Sequence, residues 1–319
     1  MSSTLREVLS KGLPPPGSSA LHRGHGRSRD VTPLPWKEFF DENRILDIDG
    51  DKFNVYLKGN TGPVFYFLHG GGYSGLTWSC LAVSISGMLL TCRDIINIYN
   101  AVFGQNDEEE PPLVCVVGHS MGGALAVHVV ATNEIPNVVG LVVIDVVEGS
   151  AMDALSGMST FLRGRPASFE SEEKAISWCL QSGATRNRQA ARISMPSQIR
   201  KMEDGKVDGY TWRIDLTATE PYWVGWFQGL SAKFLSCSPP KLLVLAGVDR
   251  LDKDLTIAQM QGKFQNTILP KVGHAVHEDS PDRLADELAR FAMRYRFAEA
   301  APGAKPLGAR PMMGMGMMI

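Results

Sequence analysis

Short runs of unbroken apolar residues alternate along this chain with segments whose apolar positions recur every three or four residues. The unbroken runs are residues 64–68 (VFYFL), 113–117 (LVCVV), 138–145 (VVGLVVID), 241–249 (KLLVLAGVD) and 266–270 (NTILP). Between them, GHSMGGALAVHVVATN places Met121, Ala124, Leu125 and Val129 at helical spacing, and 254–264 and 281–296 read as helices. Two alternating runs, 44–49 and 53–58, joined at Gly50-Asp51, read as a hairpin. The DIDGD there lacks the closing Glu of a calcium loop and reads as a turn. Strands apolar on both faces, separated by helices, predict an α/β fold with a mostly parallel sheet covered on both sides. Chemistry in such sheets sits at the carboxyl ends of the strands.

One long segment breaks the alternation. Residues 151–236 are polar and helix-like, and carry Trp212, Tyr222, Trp223, Trp226 and Phe227. An insertion of that size between two core strands predicts a lid over the strand ends, its aromatic residues packing it onto the body, lining the site, or both. Residues 1–35 are rich in Pro, Gly, Ser and Arg, and the end of the chain, 299–319, is a Met/Gly/Pro-rich stretch without helical or strand period. Both are expected to be disordered tails.

The strand ends carry the chemistry. Gly118-His119-Ser120-Met121-Gly122 is a G-x-S-x-G pattern directly between an apolar strand and a helix of small residues. That context predicts a sharp elbow presenting Ser120 at the sheet edge. His69-Gly70-Gly71-Gly72 follows the first apolar strand. Acyl transfer develops a negative oxygen, and a glycine loop can bring the Gly71 N–H opposite that of Met121 to hold it. The loop lacks the Lys-Ser/Thr of a phosphate-binding loop. A base must follow the last core strand, where GHAVHE offers His274 and His277; His274, next to glycine, is the expected base and His277 a packing residue. Asp145 and Asp249 both end apolar strands in the order Ser, Asp, His. Position alone leans to Asp249, and sequence physics leaves the choice open.

Composition narrows the partners. The 319 residues carry a net charge of −2, which argues against nucleic acid or an acidic membrane as the main partner. No apolar run is long enough to span a bilayer, and the first residues lack the apolar core of a secretion signal. The five cysteines show no paired spacing. Together these predict an intracellular protein of the cytoplasm or nucleus, not a secreted one.

FLHGGGYSGLTW, VGHSMGGALAVH, IDVVEGSAMDAL, YTWRI, GWFQGLSAKFLSC and LLVLAGVDRLDKDLTIAQMQGKF closely resemble the protein phosphatase methylesterase family, over about Trp36 to Phe297. The resemblance implies an α/β-hydrolase domain over 36–298 with its lid at about 151–236. It implies a serine carboxylesterase that removes the methyl ester from the C-terminal leucine of the protein phosphatase 2A catalytic subunit. It implies Ser120 as nucleophile, His274 as base and Asp145, rather than Asp249, as acid, with no metal or organic cofactor. Two departures accompany it. Only RKMEDGKVDG stands where many relatives carry a long acidic insertion before YTWRI. The stretch SISGMLLTCRDIINIYNAVFG joins two helix-like segments where relatives place a strand and loop between helices. The 34 residues between Trp78 and Leu113 fall short of the roughly 45 that average helices, strand and connections require. A core strand and its following loop are therefore expected to be missing near 90–93. That expectation sets a second reading beside the esterase: a variant that binds the phosphatase without turnover, or folds poorly.

Overall fold

The computed structural model describes residues 30–84, 88–91, 95–104, 110–202, 209–247 and 251–299. Two strands, β1 (Glu42–Ile48) and β2 (Asp51–Leu57), form an antiparallel hairpin. Ile48 pairs with Asp51, so the turn residues are Asp49 and Gly50, both at positive φ, rather than Gly50 and Asp51. Asp-Gly is a preferred pair for a two-residue turn that needs positive φ twice.

The later strands are β3 (Val64–Leu68), β4 (Met88–Thr91), β5 (Val114–His119), β6 (Val138–Ile144), β7 (Ser168–Phe169), β8 (Ile199–Lys201), β9 (Tyr210–Trp212), β10 (Lys241–Leu245) and β11 (Gln265–Ile268). Six of them form the central sheet in the order β11-β10-β6-β5-β3-β4, every neighbouring pair parallel. The sheet has a core on each face. Tyr66, Leu68, Val116, Leu141, Val143, Leu243 and Leu245 face one core. Phe65, Phe67, Val117, Val142, Ile144, Leu242 and Val244 face the other. The two-residue period of a strand divides each run between the two cores, which is why the inner strands β3 and β6 are apolar on both sides.

Helices cover both faces. α1 (Ser79–Ser84) leads into β4, α2 (Ile95–Phe103) follows it, and α3 (Met121–Val130) follows β5. Between β6 and β10 lie α4 (Glu148–Arg163), α5 (Glu172–Ser182), α6 (Arg188–Gln198), α7 (Trp223–Phe227) and α8 (Leu230–Ser236). The same insertion holds the small antiparallel sheet β7-β9-β8 and the 3₁₀ segment Leu216–Tyr222. α9 (Lys253–Met260), α10 (Val276–Asp279) and α11 (Pro281–Arg294) complete the fold.

The strand expected to be missing is present. Met88–Thr91 forms β4 and pairs with Val64–Phe67 in parallel. Room for it comes from brevity: α1 has six residues and β4 four, and only three residues separate β4 from each flanking helix. Average element lengths overstated what the chain needs. β3 is buried along its whole length, and its backbone groups require a partner on the side away from β5. Met88–Thr91, three apolar residues and a threonine within reach, satisfies that requirement despite modest strand propensity. Residues 92–94, where the loop after the strand was expected to be missing, lie outside the described residues.

Candidate active site

Ser120 sits between the end of β5 and the start of α3 with φ 54° and ψ −123°. A non-glycine residue holds such a conformation only where its surroundings enforce it, at a cost of about 1–3 kcal/mol. The surroundings are glycines. A Cβ on Gly118 would run into the Gly122 carbonyl, and one on Gly122 into the carbonyls of Leu68 and His69. The first turn of α3 can therefore press against both β5 and the end of β3. The Ser120 N–H donates to the Ile144 carbonyl at 2.9 Å, tying the elbow to β6.

Asp145 follows β6 immediately, also at positive φ (55°), with its N–H on the Val244 carbonyl at 2.8 Å. Its carboxylate is fully buried and accepts from the Ala246 N–H at 2.9 Å and from His274 Nδ1 at 2.7 Å. That bond protonates Nδ1 and leaves the Nε2 lone pair of His274 available, on a side chain 42% exposed. The glycine loop closes the third side. A Cβ on Gly70 would lie 3.2 Å from Ser120 Cβ, and one on Gly71 3.7 Å from Met121 Sδ and 3.6 Å from Leu216 Cδ2. Ser120, Met121, Gly71, Asp145 and His274 thus gather at the carboxyl ends of β3, β5 and β6 and on the loop after β11. Asp249 lies outside the described residues.

Behind these residues is a layer of which the sequence reading marked only His277, as a packing residue. His119 is fully buried, its ring 4.7 Å from that of His274 and 4.5 Å from that of His277. Burial, and next the facing His274, push its pKa down to about 3, so it is neutral. His277 packs on Trp78 with ring centroids 4.1 Å apart, and its Nε2 lies 2.7 Å from Thr77 Oγ1. Thr77 donates its hydroxyl proton to Glu278, so His277 Nε2 is the donor to Thr77. Burial raises the Glu278 carboxyl to about 7. Leu216, from the insertion, rests on Gly71 and Gly72 and covers the glycine loop. Nothing in the local sequence marks Leu216, because its contacts are made across more than 140 positions. No group of three or more His, Cys, Asp or Glu suited to a metal occurs among the described residues, and none of their helices is long and apolar enough to cross a membrane.

Comparisons with known proteins bear on the fold and the family. Residues 65–287 match the family model described as the alpha/beta hydrolase family. Solved structures share the fold: an E-2-(acetamidomethylene)succinate hydrolase (TM-score 0.64, 19% identity, 79% of this chain and 99% of that one) and an esterase of Mycobacterium tuberculosis (0.56, 21%, 79% and 92%). Fold and family together define a serine-type ester hydrolase. Among curated relatives, the probable protein phosphatase methylesterase 1 of Caenorhabditis elegans is 55% identical over 323 residues, covering 92% of this chain and 86% of the relative. Protein phosphatase methylesterase 1 of Homo sapiens is 42% identical over 366 residues, covering 91% and 94%. The chain belongs to the protein phosphatase methylesterase family. An alignment of 366 positions exceeds the 319 residues of this chain, so the human relative has residues for which this one has no counterpart.

Proposed function

We propose that this protein hydrolyses the methyl ester of the C-terminal leucine of the protein phosphatase 2A catalytic subunit, with Ser120 as nucleophile, His274 as general base and Asp145 as its orienting acid. The bond between His274 Nδ1 and the buried Asp145 carboxylate carries this reading. It fixes the one tautomer in which Nε2 can take a proton. In the proposed reaction His274 Nε2 removes the Ser120 hydroxyl proton as the oxygen attacks the ester carbonyl. The resulting oxyanion lies between the N–H groups of Gly71 and Met121, the latter in the first turn of α3, where backbone donors have no partner within the helix. The imidazolium, stabilised by Asp145, returns the proton to the departing methanol. Water, activated by the same imidazole, then releases the free carboxylate and restores Ser120.

The names of the relatives support a protein phosphatase as substrate or partner. The presence of β4 beside β3 favours a protein with turnover over one without it. The test is labelling by a fluorophosphonate probe. Wild type should be modified on Ser120, and Ser120→Ala should be neither labelled nor active on a peptide ending in leucine methyl ester. A folded, monodisperse wild-type protein that resists the probe would sink the proposal.

A further inference from the structure

His119 stands immediately before Ser120, yet its side chain reaches the opposite loop. Its Nε2 donates to the backbone carbonyl of His274 at 2.9 Å. That carbonyl also accepts from the Val276 N–H at 2.9 Å, so both of its lone pairs are engaged. The same ring meets the glycine loop: a Cβ on Gly70 would lie 2.9 Å from His119 Nδ1 and 3.3 Å from Cε1. One buried side chain therefore links the serine elbow, the base loop and the glycine loop.

The other ring nitrogen makes the case specific. Among the described residues Nδ1 is buried without a hydrogen-bond partner, a costly arrangement that phenylalanine would avoid. A pure packing role gives no reason to bear that cost; the Nε2–H donor does. The imidazole of His274 is tethered at Nδ1 by Asp145 and is 42% exposed, so that bond alone does not fix where its main chain lies relative to Ser120.

We infer that His119 is a positioning residue, whose Nε2–H bond to the His274 carbonyl sets the distance between the serine and its base. The inference rests on the Ser120–His274–Asp145 reading. A shift of about 1 Å between reacting groups lowers the rate about 100-fold. His119→Gln keeps an amide donor near the Nε2 position, His119→Asn withdraws it, and His119→Phe keeps a ring without any donor. With the leucine methyl ester peptide, Asn and Phe should lower kcat about 100-fold with KM within about twofold, whereas Gln should stay within about fivefold of wild type in kcat. Should Asn and Phe fail to fold, a folded Gln variant with near-native kcat still supports the role, and one that loses about 100-fold overturns it. Folded Asn and Phe variants with wild-type kcat also overturn it. Ser120→Ala runs alongside: if it keeps activity, the reading of the site falls and this inference with it. If it is inactive while the donor-less variants turn over normally, only the inference falls.

Discussion

Asp145 shows how a single residue divides its work. One carboxylate oxygen is spent on the backbone of Ala246 and the other on His274, so the group is held rigid by the strand that follows it in the sheet. Asp145→Asn should leave the fold intact and lower kcat by about four orders of magnitude, because an amide can favour the wrong imidazole tautomer. Asp249→Asn should change kcat little; equal losses in the two variants would return the acid assignment to an open question. Gly118 is constrained more severely, since a methyl group there meets the Gly122 carbonyl. Gly118→Ala should destabilise the protein by at least about 1–3 kcal/mol in thermal melts, and an unchanged melting temperature would contradict the packing described. At this scale the sequence was legible where chemistry is local: the serine elbow and the glycine-flanked histidine are short patterns. The acid was not, because two aspartates, Asp145 and Asp249, follow apolar runs in the right chain order, and the contact of Asp145 with His274 is made across 129 positions. The link from His119 to His274 was hidden for the same reason, as it spans 155 positions.

β4 is the element on which the sequence and the structure part company. The runs read from the sequence disclosed the other five strands of the central sheet, each near its observed place. β4 went unread because four residues between two short helices present neither a strand period nor a helix period. It is defined by the backbone of β3, a non-local demand invisible to any window of sequence. The sheet β7-β9-β8 was unread likewise, its strands being two or three residues long. Amide hydrogen exchange should find residues 88–91 protected relative to the exposed loops, and exchange as fast as in an unfolded peptide would remove the strand. Substitution supplies a sharper check. Adjacent N–H groups of a strand point to opposite sides, so of Leu89→Pro and Leu90→Pro one should cost about 1–3 kcal/mol more than the other. Equal costs would mean that the ladder to β3 is not formed.

For the molecule as a whole, the buried layer behind the site couples stability to pH. His119 and His277 are both held below the ordinary histidine range, chiefly by burial, and His69 is lowered in the same way. The unfolded chain protonates these rings near pH 6.5 whereas the folded protein resists, so their contribution is complete above pH 6.5 and is lost as the pH falls. Glu278 acts in the opposite sense. Its raised pKa favours the folded state at low pH, and that contribution declines between about 4.5 and 7 as the pH rises. With more histidines than carboxyls in the layer, urea midpoints should fall between pH 6.5 and 5, and His277→Phe should flatten that fall if it folds. A midpoint that rises on acidification would show that Glu278 dominates. The same compact layer joins the lid, the base loop and the elbow into one catalytic body, which ties folding to turnover. The most direct measurement follows demethylation of a peptide with the C-terminal sequence of the protein phosphatase 2A catalytic subunit, ending in leucine methyl ester, by mass spectrometry with folded wild type and Ser120→Ala in parallel. Wild type should convert the ester to the free carboxylate while Ser120→Ala leaves it untouched. A folded wild-type protein that releases no methanol, or a Ser120→Ala variant as active as wild type, would contradict it.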